Sequence, residues 1–127
     1  MMMLRAVLLT AGVLQSFATE AYADGDVAKG AIAFKKCMAC HEGAKPANKL
    51  GPHLVALFGR KVAGVEGYKY SEAMKAYAAT VPAWDEANFN TYIEKPKAVV
   101  IGTKMAFGGI AKPEERLNLI AYLRTLK

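Results

Sequence analysis

Cys37-Met38-Ala39-Cys40-His41 constrains this chain more than any other segment. Its cysteines are the only two in 127 residues, and in an oxidising compartment a free pair would oxidise. A disulfide between residues this close would close a trivial loop and stabilise little. A thioredoxin-like pair would sit in a strand–helix context and would not need the histidine. Structural zinc needs four ligands, and beyond this cluster the chain offers only His53, in no zinc-finger spacing. Covalent haem attachment uses all three groups: each thiol adds to a vinyl group as a thioether, and the adjacent histidine lies under the iron as an axial ligand.

The N-terminus agrees with an oxidising destination. Arg5 precedes an apolar run from Ala6 to Phe17, and Ala21-Tyr22-Ala23 has the small-x-small pattern of a signal-peptidase site. Residues 1–23 are therefore expected to be a cleaved signal peptide and residues 24–127 a single domain in the periplasm. The run is shorter than the roughly 20 apolar residues of a spanning helix. Cleavage removes one basic and one acidic residue, Arg5 and Glu20, so the net charge of +6 is kept. An exported basic protein without clustered Lys, Arg and aromatics points to an acidic protein or a membrane surface as partner and not to nucleic acid.

The remaining pattern is helical and irregular by turns. Asp24 to His41 is expected to be a helix, with Asp24 or Asp26 as cap and Val27, Ala31, Phe34 and Met38 on one face. Gly30 costs about 1 kcal/mol inside a helix relative to alanine, which points to close approach of another helix there. Residues 42–69 show neither period and contain many glycines, an uncommonly long irregular stretch that makes sense if something other than side chains fills the middle. Ser71–Ala79 and Asp85–Lys95 read as helices, the latter with Phe89, Tyr92 and Ile93 on one face and Pro96 closing it. Lys97–Gly109 reads as loop. A final helix opens at Pro113-Glu114-Glu115, with Leu117, Ile120, Ala121 and Leu123 as its buried side. Nothing reads as a sheet.

An electron-transfer haem needs a sixth ligand, and methionine opposite histidine raises the potential. Met38 lies inside the attachment motif. Met74 falls in a helix, where packing explains it, whereas Met105 lies in a glycine-rich loop that can present its sulfur to the open face. Met105 is favoured, with Met74 and a bis-histidine arrangement through His53 left as alternatives.

On these residues the chain resembles the class I cytochromes c of the mitochondrial and soluble alpha-proteobacterial type, over essentially all of 24–127. The matching stretches are Gly25-Asp26-Val27, Lys29-Gly30, Phe34, the haem motif, Gly51-Pro52 and Leu57-Phe58-Gly59-Arg60-Lys61. They continue through Gly67-Tyr68, Tyr70, Trp84, Tyr92, Pro96-Lys97, Gly102-Thr103-Lys104-Met105, Phe107 and Leu119-Ile120-Ala121-Tyr122-Leu123. The resemblance implies an all-α cytochrome c-like fold, several helices and long loops wrapped around one covalent haem c, with Gly30 and Phe34 crossing Leu119 and Tyr122. It further implies that the Pro52 carbonyl accepts the proton of the second His41 nitrogen, that Arg60, Tyr70 and Trp84 hold the buried propionate, and that Tyr92 and Thr103 surround the Met105 sulfur and the inner propionate. Ile101 stands where proline is usual, Met74 where asparagine is usual, and His53 where asparagine is common.

With both axial positions filled, the implied function is outer-sphere electron transfer by a monomeric carrier and not an enzyme. Lys36, Lys97, Lys104 and Lys112 match the family's lysine ring, which steers docking onto acidic faces of a cytochrome bc complex, a terminal oxidase, a reaction centre or a periplasmic dehydrogenase. A peroxidase-like enzyme with a labile sixth position and a haem subunit fixed in a larger complex are the alternatives.

Overall fold

Each helix begins where a side chain satisfies a free amide of its first turn or a proline removes one. In the computed structural model, which describes residues 12–13 and 25–127, Asp26 caps α1 (Val27–Phe34) by accepting from the Lys29 amide at 2.8 Å. Ser71 caps α2 (Glu72–Thr80) through the Met74 amide. Asp85 and Asn88 form a reciprocal capping box on α3 (Glu86–Glu94). Prolines open both α4 (Pro96–Val99) and α5 (Pro113–Leu123). The expected signal peptide and the alternative cap Asp24 lie outside the described residues, Gly12 and Val13 excepted. Among the described residues no helix is long and apolar enough to cross a membrane.

The first helix is shorter than expected. It ends at Phe34, and residues 35–40 continue as turns in which the Cys37 amide bonds the Phe34 carbonyl at 2.8 Å and the His41 amide the Cys37 carbonyl at 2.9 Å. Its buried face is also rotated from the expected one: Gly30, Ala33 and Phe34 are buried, while Val27 and Met38 are exposed. Gly30 is the reason. A Cβ there would stand 1.9 Å from the Asn118 carbonyl oxygen and 2.7 Å from Tyr122 Cβ, so the two helices cross backbone to backbone at this point. The Asn118 side chain caps the contact by accepting from the Asp26 amide at 2.8 Å, and the Phe34 and Tyr122 rings lie 5.1 Å apart beside it. On α5, Leu119, Ile120, Ala121 and Leu123 are buried and Leu117 is only half-buried, because the crossing turns that helix by the same argument.

The short helix α4 was not legible in the sequence, where residues from Lys97 onward read as loop; four residues after a proline carry too little periodicity to detect. On α3, Phe89, Tyr92 and Ile93 are buried as expected. Among the described residues the extended backbone forms one isolated bridge, Lys61 to Ala83, and no strand. Flanking bonds, Gly59 to the Trp84 carbonyl and Trp84 to the Arg60 carbonyl, tie the long irregular segment to the approach to α3. The result is a helical frame on one side and a shell of loops on the other, with a hollow between them.

Candidate haem site

The hollow is a cavity of about 530 Å³, inside the roughly 300–1,000 Å³ range of small-molecule and cofactor sites. Every site residue expected from the sequence lines it: Cys37, Cys40, His41, Pro52, Arg60, Tyr70, Trp84, Tyr92, Thr103 and Met105. They come from five separate parts of the chain. The turns after α1 supply the two thiols and the imidazole, the segment before α2 supplies Pro52, Arg60 and Tyr70, the link between α2 and α3 supplies Trp84, α3 supplies Tyr92, and the loop after α4 supplies Thr103 and Met105.

His41 is oriented by two contacts. Its Nδ1 lies 2.6 Å from the Pro52 carbonyl oxygen, a bond in which Nδ1 must be the donor, so Nε2 is left as the free nitrogen with a lone pair. The ring packs closely against Gly51, where a Cβ would be 2.3 Å from Cε1. Burial holds the imidazole below its ordinary pKa against the opposing Pro52 bond, and Arg60 and Lys49 add to the lowering. A neutral ring with one proton, on Nδ1, is the form that binds a metal.

The Met105 sulfur is placed just as definitely. The Tyr92 hydroxyl donates to Sδ at 3.1 Å, and the Met105 amide donates to Thr103 Oγ1 at 3.2 Å. Burial, with Tyr77 nearby, pushes the Tyr92 phenol up to about 12 despite a bond with Thr103, so it stays protonated and remains a donor. Met74 also lines the cavity, from α2, and packs partly buried against the core. His53 does not line it; its Nδ1 accepts from the Val55 amide at 3.2 Å.

At the opposite wall Arg60 donates through Nη1 to the carbonyls of His53 and Val55 at 2.9 and 3.3 Å, while its buried Nε has no partner. A buried donor without an acceptor is costly, and here it belongs to a side chain that lines the cavity. Tyr70 and Trp84 stand on the same cavity wall; the Tyr70 hydroxyl accepts from the Val65 amide at 3.0 Å. The thiols are free, with burial pushing Cys37 up to about 11 against the charge of Lys36. No group of three or more His, Cys, Asp or Glu side chains among the described residues could hold a metal ion. Two thiols beside an imidazole, a sulfur from another segment, apolar walls and one orphaned guanidinium donor fit a flat macrocycle bearing its own metal and an acidic substituent.

A profile of the cytochrome c family matches residues 27–127. The chain belongs to the cytochrome c family. It is 54% identical to cytochrome c-550 of Nitrobacter winogradskyi over 100 residues, covering 78% of this chain and 89% of that one. Identity to cytochrome c2 of Agrobacterium tumefaciens is 48% over 103 residues, 79% of this chain and 91% of the relative. The solved structure of cytochrome cH from Methylobacterium extorquens superposes with a TM-score of 0.72 at 41% identity, covering 80% of this chain and 99% of that chain. This cytochrome c is of the class I type, carries one covalent haem c with its iron, and is an electron carrier. The all-α expectation holds.

Sequence reasoning missed the apolar lining. Leu54, Leu57, Phe89, Leu119 and Leu123 face the cavity, and the α5 pair was read as helix-packing residues alone. Their periodicity marks a buried face without saying what covers it. Trp84 was foreseen, but its tilted ring contacts with Tyr92 at 5.1 Å and Tyr77 at 5.9 Å were not.

Proposed function

We propose that this cytochrome shuttles single electrons in the periplasm between membrane redox complexes, with His41 and Met105 as the axial ligands of its haem. The observation that carries the reading is that the His41 imidazole and the Met105 sulfur border one cavity, each already oriented by a hydrogen bond from or to a neighbour. When bound, the haem supplies the reversible one-electron couple of its iron.

The protein's part is attachment, orientation and exclusion of water. Cys37 and Cys40 hold the group covalently. Pro52 fixes the His41 tautomer and raises the basicity of the ligating nitrogen. Tyr92 and Thr103 hold the sulfur in place, and the protonated Tyr92 donor withdraws density from it, which favours the reduced state. Arg60, with Tyr70 and Trp84 beside it, serves a buried propionate, whose charge would otherwise be very costly in an apolar cleft. With His41 and Met105 both holding the iron, a substrate would have no place on the metal, and the chain would act as a carrier and not as an enzyme.

Export rests on the expected signal peptide of residues 1–23. For docking, Lys36 and Lys104 border the cavity mouth, and Lys97 and Lys112 are exposed. Lys36 is also ion-paired with Glu115, so the other three carry more of the steering. The partners fit acidic faces of a cytochrome bc complex, a terminal oxidase, a reaction centre or a periplasmic dehydrogenase, and exchange is expected to slow with rising ionic strength.

The test is an optical redox titration of the purified protein and of Met105→Ala, following the long-wavelength ferric band of iron–methionine ligation. A reversible one-electron step with that band in the wild type, and loss of the band in the variant, supports the reading. A wild type without the band that binds cyanide or carbon monoxide freely favours a peroxidase-like enzyme instead.

A further inference from the structure

The loop that carries Met105 runs from Val100 to Lys112, between α4 and α5, and is tethered mainly at its ends. At the leading end the Thr103 amide donates to the Val100 carbonyl at 3.1 Å, and Val100 is buried. At the trailing end the Ile110 amide donates to the Ile93 carbonyl at 2.9 Å. Gly109 there backs onto α3 so closely that a Cβ would lie 2.0 Å from the Glu94 carbonyl oxygen. Between these anchors no backbone–backbone hydrogen bond among the described residues reaches 104–109. Met105 is therefore held by Thr103 and Tyr92, by the packing of its own side chain and that of Phe107 against the core, and by the two anchored ends, which alone fix the backbone by backbone–backbone bonds.

Arg116 is built into the trailing anchor. It is 6% exposed, and its Nη1 donates to the carbonyls of both Ile110 and Ala111 at 2.9 Å. Its Nε donates to Asn90 Oδ1 at 2.9 Å, and Nη2 lies 3.9 Å from Glu94 Oε2. One guanidinium thus joins the loop, α3 and α5. The placement works against two general tendencies: a buried charge is costly, and a cation near a helix N-terminus opposes the dipole that Glu114 and Glu115 favour. What compensates is the planar fork, whose donors reach three acceptors in fixed directions and leave Glu94 at ion-pair distance; a lysine at this site cannot do so. Arg124 makes the natural contrast. It joins the same two helices at their other end, by pairing with Glu86, and the loop takes no part in that pair.

We propose that Arg116 is a positioning residue for the axial ligand: by clamping the trailing end of the loop to α3, it restrains Met105 from leaving the iron. The inference rests on Met105 being that ligand. The experiment is imidazole titration of the ferric holoprotein, read through loss of the methionine band, for wild type, Arg116→Gln, Arg116→Lys, Asn90→Ala and Arg124→Gln, with thermal stability measured alongside.

Imidazole affinity is expected to rise about tenfold in both Arg116 variants, the worth of one charge-assisted hydrogen bond. Asn90→Ala, which keeps the arginine and removes one partner, gives a smaller rise and carries the test if the Arg116 variants fail to fold. Arg124→Gln is expected to lose stability with an imidazole affinity within about twofold of wild type, as for a site independent of the loop. Unchanged affinity in the Arg116 and Asn90 variants, or the same rise in Arg124→Gln at matched stability, overturns the proposal. A wild type lacking the methionine band overturns the ligand assignment itself, and that result is visible before any variant is compared.

Discussion

The two sides of this molecule are held together by different means. At the α1–α5 crossing, backbone meets backbone at Gly30, rings meet at Phe34 and Tyr122, and Leu119, Ile120 and Leu123 are almost wholly buried. The 42–69 and 100–112 segments, by contrast, are tied to the rest of the chain by scattered single bonds, such as Ala56 to the Leu126 carbonyl, Gly59 to the Trp84 carbonyl and Ile110 to the Ile93 carbonyl, and they line the cavity, where Arg60 carries a buried Nε donor without an acceptor. Protein interiors are normally close-packed, and a hollow of this size forfeits contacts along its whole lining. The crossing is a core made of side chains; the loop side is a core whose centre is the haem.

The largest test of that contrast is removal of the haem. A Cys37→Ala/Cys40→Ala double variant is expected to lose its cooperative thermal transition altogether, a loss comparable to a small domain's whole stability of about 5–15 kcal/mol. Residual hydrogen-exchange protection should be confined to α1 and α5. A near-native near-ultraviolet circular dichroism spectrum from the haem-free chain would break the comparison.

Next in size is Gly30→Val, which drives a side chain into the Asn118 carbonyl and is expected to cost about 3 kcal/mol as overpacking. Urea titration measures that cost, and the redox midpoint should hardly move, because the crossing is a purely structural contact. Tyr92→Phe reverses the pattern. It removes the donor to the Met105 sulfur, so a stability change of about 1 kcal/mol should come with a lower midpoint potential, read by the same spectroelectrochemical titration in both variants.

The smallest effect is expected at α2, which has no buried residue. Ser71→Ala removes its N-cap bond and should cost about 0.5–1 kcal/mol with the potential unchanged. A shift of the midpoint in Ser71→Ala would show that α2, through Met74, is coupled to the haem more tightly than its exposure suggests.

Where local chemistry sets the structure, the sequence was readable. The caps at Asp26, Ser71 and Asp85, the proline start of α5 and the apolar face of α3 follow from rules that span a few residues. Where a second element decides, it was readable only in part. The close approach at Gly30 was expected from its cost inside a helix and is there, but of the apolar face expected through Val27, Ala31, Phe34 and Met38 only Phe34 is buried, because the closest packing of two helices selects the smallest side chain and not the most apolar one. The short α4 left no periodic trace at all.

The sequence by itself determined the cofactor chemistry: two thiols and an imidazole within five residues admit one economical use. These are properties of residue types at short spacing, which no folding can alter. Tertiary structure alone decided which groups meet. It brought Tyr92 to the Met105 sulfur, the Pro52 carbonyl to His41, and Arg116 across to the carbonyls of the loop that Met105 depends on. Such partners lie on different elements, and their directions are set by how helices cross and how loops close over a buried group, which no window of sequence contains.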